Sequence, residues 1–301
     1  MFGYYILKVF TWPLSKLPLG FHRAMGRFLG WFVGDLVKYR RDVVMTNLAR
    51  SFPDKKYEEL KSIASRTYRH FCMVLCESIW FGTSDAARIR RSHIAEITQC
   101  AELNRMYDTG KSIIVLTGHV GSWEIIGGMK SYSYGDEQLH CPENDFCVVY
   151  KELSSKSWDT FMNRNRIAPI VDKDHFDGIV ESFDIMRYVF KHRECRKMYY
   201  FITDQSPYSD SSCVKVADFM HQPTWSMNGG PALAILFGLP VVYMSMRREA
   251  DDNYTIRYIP ICEDPEGMTD VQILDRYYQL LQADLEAQPW NYLWTHKRWK
   301  K

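Results

Sequence analysis

Several things are missing from this chain, and each absence removes a class of protein. Its apolar N-terminus never gathers twenty apolar residues, because Lys8, Pro13, Lys16 and Pro18 interrupt it; a clean transmembrane helix is therefore not expected there. No small-residue cleavage site follows Met1 to Leu19, which argues against a removed signal peptide. The eight cysteines contain no Cys-x-x-Cys pair and no zinc spacing, and the nine histidines no His-x-His, Asp-x-His or His-x3-His set. A metal-dependent hydrolase has little to stand on without such ligands. Cys72 and Cys76, four apart in a helical stretch, read as small buried hydrophobes, and the scatter of thiols suits a reducing compartment. No Pro/Gly/Ser-rich linker, repeat or low-complexity tract divides the chain. The net charge of only +2, with no recurring aromatic-basic motif, gives no footing for nucleic-acid binding.

What is present is unevenly distributed. Residues 1–50 hold eight basic and two acidic side chains, +6, against −4 for the rest of the chain. With its aromatic content, that cationic start reads as a segment lying on a membrane surface, peripheral or shallowly anchored. The organisation expected is a membrane-associating helical segment over residues 1–40 followed by one enzymatic domain over 41–301. Gly26, Gly30 and Gly34 fall on one face of a helix over Phe21 to Lys38, fit for close helix approach or for tight packing on the domain. Further helices are expected over 42–51 and 54–80, the second capped by Asp54.

Beyond residue 112 the pattern alternates. Strands fit 112–117, 146–150, 167–171, 198–203, 240–246 and 253–261; helices fit 122–130, 152–165, 175–191, 228–237 and 269–287. Such alternation argues an α/β fold with a mixed, largely parallel central sheet flanked by helices, its active groups beyond strand C-termini. His119 and Asp204 occupy such positions. Ser112 to Thr117 reads as a buried strand; His119 sits in the turn after it and Glu124 follows as a helix begins. Five positions on one helix would set those side chains about 140° apart, but a pair split across the turn can meet, and a carboxylate on an imidazole makes a general base. His140 and Asp145 share the spacing, yet lie in a polar loop without that context.

Gly118-His119-Val120-Gly121-Ser122-Trp123-Glu124 resembles the His-x4-Glu block of the lipid A biosynthesis (lauroyl/myristoyl) acyltransferases, a branch of the lysophospholipid-acyltransferase-like group. Four further stretches are similar to that family in order and spacing. These are Asp35 to Pro53, Val149-Tyr150-Lys151 with Arg164-Asn165-Arg166, Asp204-Gln205-Ser206-Pro207 with Val216 to Phe219, and the aromatic-basic end from Pro289 to Lys300. Two features depart from the pattern. Ile167-Ala168-Pro169 replaces the usual bulky residue and glycine after the arginine, and Pro231 stands where a polar residue is common.

The resemblance implies the lysophospholipid-acyltransferase-like fold. It also implies transfer of a fatty acyl group from a thioester, of acyl carrier protein foremost or of coenzyme A, to a hydroxyl of a lipid A precursor. The same chemistry on another membrane lipid, a phosphoinositol mannoside or an aminolipid, is the alternative, and a non-catalytic membrane-surface protein a lesser one. His119 would serve as the base, Glu124 would hold its tautomer, and the N–H groups of Val120 to Ser122 would face the oxyanion. Arg166 or Arg164 would bind a phosphate of donor or acceptor, with Asp204 orienting that arginine, touching the acceptor, or capping a helix. Neither metal nor cofactor is needed. Arg88, Arg90 and Arg91 would offer an acidic carrier protein a dock or form a solvated face. The family implies the cytoplasmic face of a bacterial inner membrane.

Overall fold

The computed structural model describes residues 2–134, 138–207 and 212–300. Its strands are β1 (Ala95–Ile97), β2 (Ile113–Thr117), β3 (Phe146–Tyr150), β4 (Ile179–Glu181), β5 (Met198–Ile202), β6 (Cys213–Phe219), β7 (Gln222–Met227), β8 (Val241–Arg248) and β9 (Tyr254–Cys262). Seven of them form one sheet in the order β1-β9-β8-β2-β5-β3-β4, parallel throughout except where β8 meets β9; β6 and β7 form a separate hairpin. The mostly parallel α/β architecture is the one the alternation indicates. β2 lies near its centre, and Ile113 to Leu116 are fully buried. Covered faces explain why that strand reads as a continuous apolar run rather than an alternating one.

The helices are α1 (Phe2–Ser15), α2 (Leu19–Trp31), α3 (Arg41–Ser51), α4 (Tyr57–Phe81), α5 (Ala86–Ser92), α6 (Ala101–Asp108), α7 (Lys156–Arg166), α8 (Ile185–Lys191), α9 (Gly229–Phe237) and α10 (Asp270–Ala287). A π-helical turn over Phe32–Leu36 continues α2. The glycine face of α2 is used within the molecule: a Cβ on Gly26 or Gly30 would strike the α4 backbone at Met73 or Arg69, and one on Gly34 the ring of Tyr68. Outward from this contact, Tyr5, Val9, Phe10, Trp12, Phe28 and Trp31 are exposed on α1 and α2. Among the described residues no helix is long and apolar enough to cross a membrane.

A buried ionic knot fastens α2 and α4 to the sheet. Glu77, inaccessible on α4, accepts from Arg23 Nε (3.2 Å), Arg248 Nη2 (3.1 Å) and Tyr254 Oη (2.8 Å). With two guanidinium partners and a phenol the carboxylate is paired and hydrogen-bonded on both oxygens, the condition for a charge to remain in a core.

Three expectations are corrected. Residues 167–171 are not a strand: Ile167 closes α7, its N–H on Asn163 O, and Pro169 has no N–H to give a ladder. The edge strand is instead β4, where Ile179 and Val180 pair with Val148 and Val149. It breaks the helix expected over 175–191, of which only α8 remains. Finally, α4 begins at Tyr57, with the Glu59 carboxylate accepting from Lys56 N at 3.0 Å, so Asp54 is not its cap.

Candidate active site

Strand register assembles the site. Thr117 of β2 pairs with Ile202 of β5 in a parallel ladder, so residues two beyond each strand end emerge side by side above the sheet. These are His119 and Asp204. His119 Nδ1 lies 2.7 Å from Asp204 Oδ1, and the carboxylate is almost wholly buried. A carboxylate can only accept, so Nδ1 carries the proton and Nε2 presents its lone pair. Burial alone would push the Asp204 carboxyl up. The contact with His119, its hydrogen bonds included, and Arg298 nearby outweigh burial and hold it below the ordinary range. Trp123 packs on the imidazole in a T-shaped pair, 5.3 Å between centroids.

The partner of His119 is therefore Asp204 and not Glu124, the reverse of what spacing suggests. Residues 123–132 form a 3-10 helix, and Glu124 turns toward α7, accepting from Arg166 Nε (3.0 Å), Arg166 Nη2 (3.2 Å) and Trp123 Nε1 (3.1 Å). Glu124, not Asp204, orients the arginine. Gly127 makes this pairing possible, since a Cβ there would collide with the Arg166 carbonyl oxygen. Arg166 also donates to Asn163 Oδ1 at 3.0 Å. Arg164, two residues earlier, points elsewhere: it donates to Tyr4 Oη at 2.9 Å and covers the Tyr4 ring, tying α7 to α1. The structure thus brings together His119, Glu124, Arg166 and Asp204 and leaves Arg164 outside.

Two of the amides expected to face an oxyanion are engaged. Gly121 N donates to Asn291 Oδ1 (3.0 Å) and Ser122 N to Met246 Sδ (3.1 Å), while Val120 bridges to Tyr292. The turn needs glycine at 121: φ is +58°, and a Cβ would meet Met246. Asn291 and Tyr292 come from the aromatic-basic terminal stretch, which is folded against the site rather than extended. Trp294 is fully buried and Arg298 donates to Trp225 O and Tyr278 Oη, both at 2.8 Å.

Above the imidazole opens a cleft of about 870 Å³. His119, Glu124 and Arg166 line it; Ile185, Met186, Met227, Leu233 and Leu236 give it apolar lining; Lys151 and Lys300 add positive charge. Two further polar groups face it that the spacing argument did not assign. Gln205 places its amide nitrogen 3.0 Å from His119 Nε2; in sequence it stands within the Asp204-Gln205-Ser206-Pro207 stretch with no role of its own. Burial pushes the His296 imidazole down to about 4, so it is neutral near pH 7. Among the described residues no group of three or more His, Cys, Asp or Glu side chains is arranged to hold a metal ion. His140 bonds the exposed Asp108 (2.8 Å), not Asp145. Of the arginine cluster, Arg88 is spent on Ser15 O and Leu17 O, whereas Arg90 and Arg91 are exposed.

A family model described as bacterial lipid A biosynthesis acyltransferase matches residues 1–301. The lipid A biosynthesis palmitoleoyltransferase of Escherichia coli (strain K12) is 22% identical over 293 residues, covering 96% of this chain and 88% of that protein. The lipid A biosynthesis acyltransferase of Shigella flexneri is similar to the same extent, again 22% over 293 residues.

Proposed function

Since the chain belongs to the bacterial lipid A biosynthesis acyltransferase family, we propose that it moves a fatty acyl chain from an acyl thioester to a hydroxyl of a lipid A precursor, with His119 as general base. The thioester is that of acyl carrier protein or of coenzyme A. The observation that carries this reading is the Asp204–His119 pair, whose Nε2 lone pair is turned to an apolar-walled cleft. A sugar hydroxyl is a weak nucleophile near neutral pH, and proton removal by a positioned imidazole is typically worth about 10²–10⁴-fold. Asp204 fixes the tautomer and stabilises the imidazolium that forms, and Arg166, held by Glu124, binds a phosphate of donor or acceptor. The apolar lining takes the acyl chain.

Residues 1–40 are the membrane-associating part. Their excess of basic side chains and the exposed aromatics of α1 and α2 suit an interface with anionic lipid. Placement at the cytoplasmic face of a bacterial inner membrane follows from this reading. The experiment offers labelled acyl-acyl carrier protein and acyl-coenzyme A to the purified protein. Each is paired with a lipid A precursor or with phosphoinositol mannosides and aminolipids. Label on the lipid A precursor is expected; label on another lipid would replace the acceptor, and none on any lipid would remove the reading.

A further inference from the structure

Among the described residues, Gln205 is the one group bonded to His119 that the mechanism above leaves unused. Its amide nitrogen lies 3.0 Å from Nε2 while Nδ1 is bonded to Asp204. An imidazole donating through Nδ1 has only a lone pair at Nε2, so the carboxamide donates there. A protein N–H thus occupies the seat that the acceptor hydroxyl must take. The thioester oxygen also needs donors as it becomes an oxyanion. The amides of Gly121 and Ser122 are committed to Asn291 and Met246. Three of the five Arg166 N–H bonds go to Glu124 and Asn163, and the other two are those the phosphate contact uses.

Resting on the acyl-transfer reading, we propose that Gln205 is a catalytic residue that caps the base until the acceptor enters and supplies an oxyanion donor during reaction. The entering hydroxyl displaces the Gln205 N–H from Nε2. Its oxygen then forms a C–O bond to the thioester carbon while its proton passes to Nε2. The carbonyl π pair moves onto oxygen, which receives the freed N–H of Gln205. On collapse the C–S bond breaks, its electron pair leaves with sulfur, and the imidazolium proton goes to the thiolate. His119 is neutral again, and Gln205 returns to Nε2. The required swing is short: a hydroxyl about 2.8 Å from Nε2 replaces the amide where it stood, and the attacked carbonyl is one bond further on. A partly accessible side chain lining the cleft has room for it.

The test compares the wild-type protein with Q205A, Q205E and H119A in saturation kinetics for both substrates. A second readout follows the ¹⁵N signals of the histidine side chains. Loss of one oxyanion donor lowers kcat about 10²–10³-fold, with both KM values within about threefold; Q205E, whose carboxylate cannot donate, is no better than Q205A. The His119 Nε2 signal moves in Q205A, whereas the Nδ1 signal, still bonded to Asp204, holds. A kcat for Q205A within about threefold of wild type, a loss confined to KM, or an unmoved Nε2 signal would each overturn the proposal. An inactive H119A beside a normal Q205A would sink this proposal alone. An H119A as active as wild type, or a wild type that transfers nothing, would sink the acyl-transfer reading and this with it.

Discussion

Asn in place of Asp204 separates the two carboxylates of the site more sharply than any other change. The side chain keeps its shape and an oxygen that can accept from Nδ1, but the charge facing the imidazolium is gone. At the observed 2.7 Å, a full charge pair is worth about 6 kcal/mol with an effective dielectric of about 20. Allowing for relaxation and screening, about 3–5 kcal/mol of transition-state stabilisation is lost, which is roughly 10²–10⁴-fold in kcat. Substrate binding does not use that charge, so KM for donor and acceptor stays within about threefold. Glu124→Gln acts differently: it releases Arg166, raises KM, and lowers kcat less than D204N. Steady-state kinetics on protein checked for folding by circular dichroism distinguishes the two. A D204N variant within tenfold of wild-type kcat, or an E124Q variant with the larger kcat loss, would refute the assignment of Asp204 as the partner of His119.

Other expectations follow from the same geometry. Arg166→Ala raises KM at least about tenfold by removing a charge-assisted phosphate contact. Arg164→Ala leaves kcat nearly intact and lowers vesicle binding by freeing α1; equal kinetic effects of the two would contradict their separation. Gly127→Ala drives the end of α7 away and costs at least about 2 kcal/mol as overpacking, read as a lower urea midpoint with loss of activity; an unchanged midpoint would contradict the close approach. Burial depresses His296 to about 4 and lowers His22 and His70 as well. The unfolded chain therefore takes up protons first as pH falls below about 6.5. Each such histidine removes up to about 1.4 kcal/mol of stability per pH unit between its two values. Asp204, depressed in the folded state, contributes stability above its unfolded value that is lost as pH falls through its folded one. Urea midpoints at pH 7 and 5 should differ less in His296→Gln than in wild type, and an equal difference would exclude His296 as a source.

The sequence makes some of this site legible and hides the rest for physical reasons. β2 and β5 are visible because strands covered on both faces must be apolar along their length, and the polar residues just past them, His119 and Asp204, stand out by contrast. Their pairing is not visible. It depends on the register of β2 against β5, a contact between segments some 85 residues apart in sequence, whereas a five-residue spacing draws the eye to Glu124. Arg164 and Arg166 show the same limit: two positions on a helix lie about 200° apart, so only one can face the cleft, but helical periodicity alone does not say which. The glycine face of α2 was legible as a packing surface, and its partner, α4, only from the fold. β4 was missed because three residues at a sheet edge are too few to carry a period against the helical pattern around them.

The most direct measurement is mass spectrometry of a lipid A precursor incubated with acyl-acyl carrier protein and either the purified wild-type protein or H119A. The expected product gains one acyl chain, released by mild alkali as an ester should be, and is absent with H119A. No gain in mass, an acyl chain that resists alkali, or equal product from H119A would contradict acyl transfer to a hydroxyl through His119.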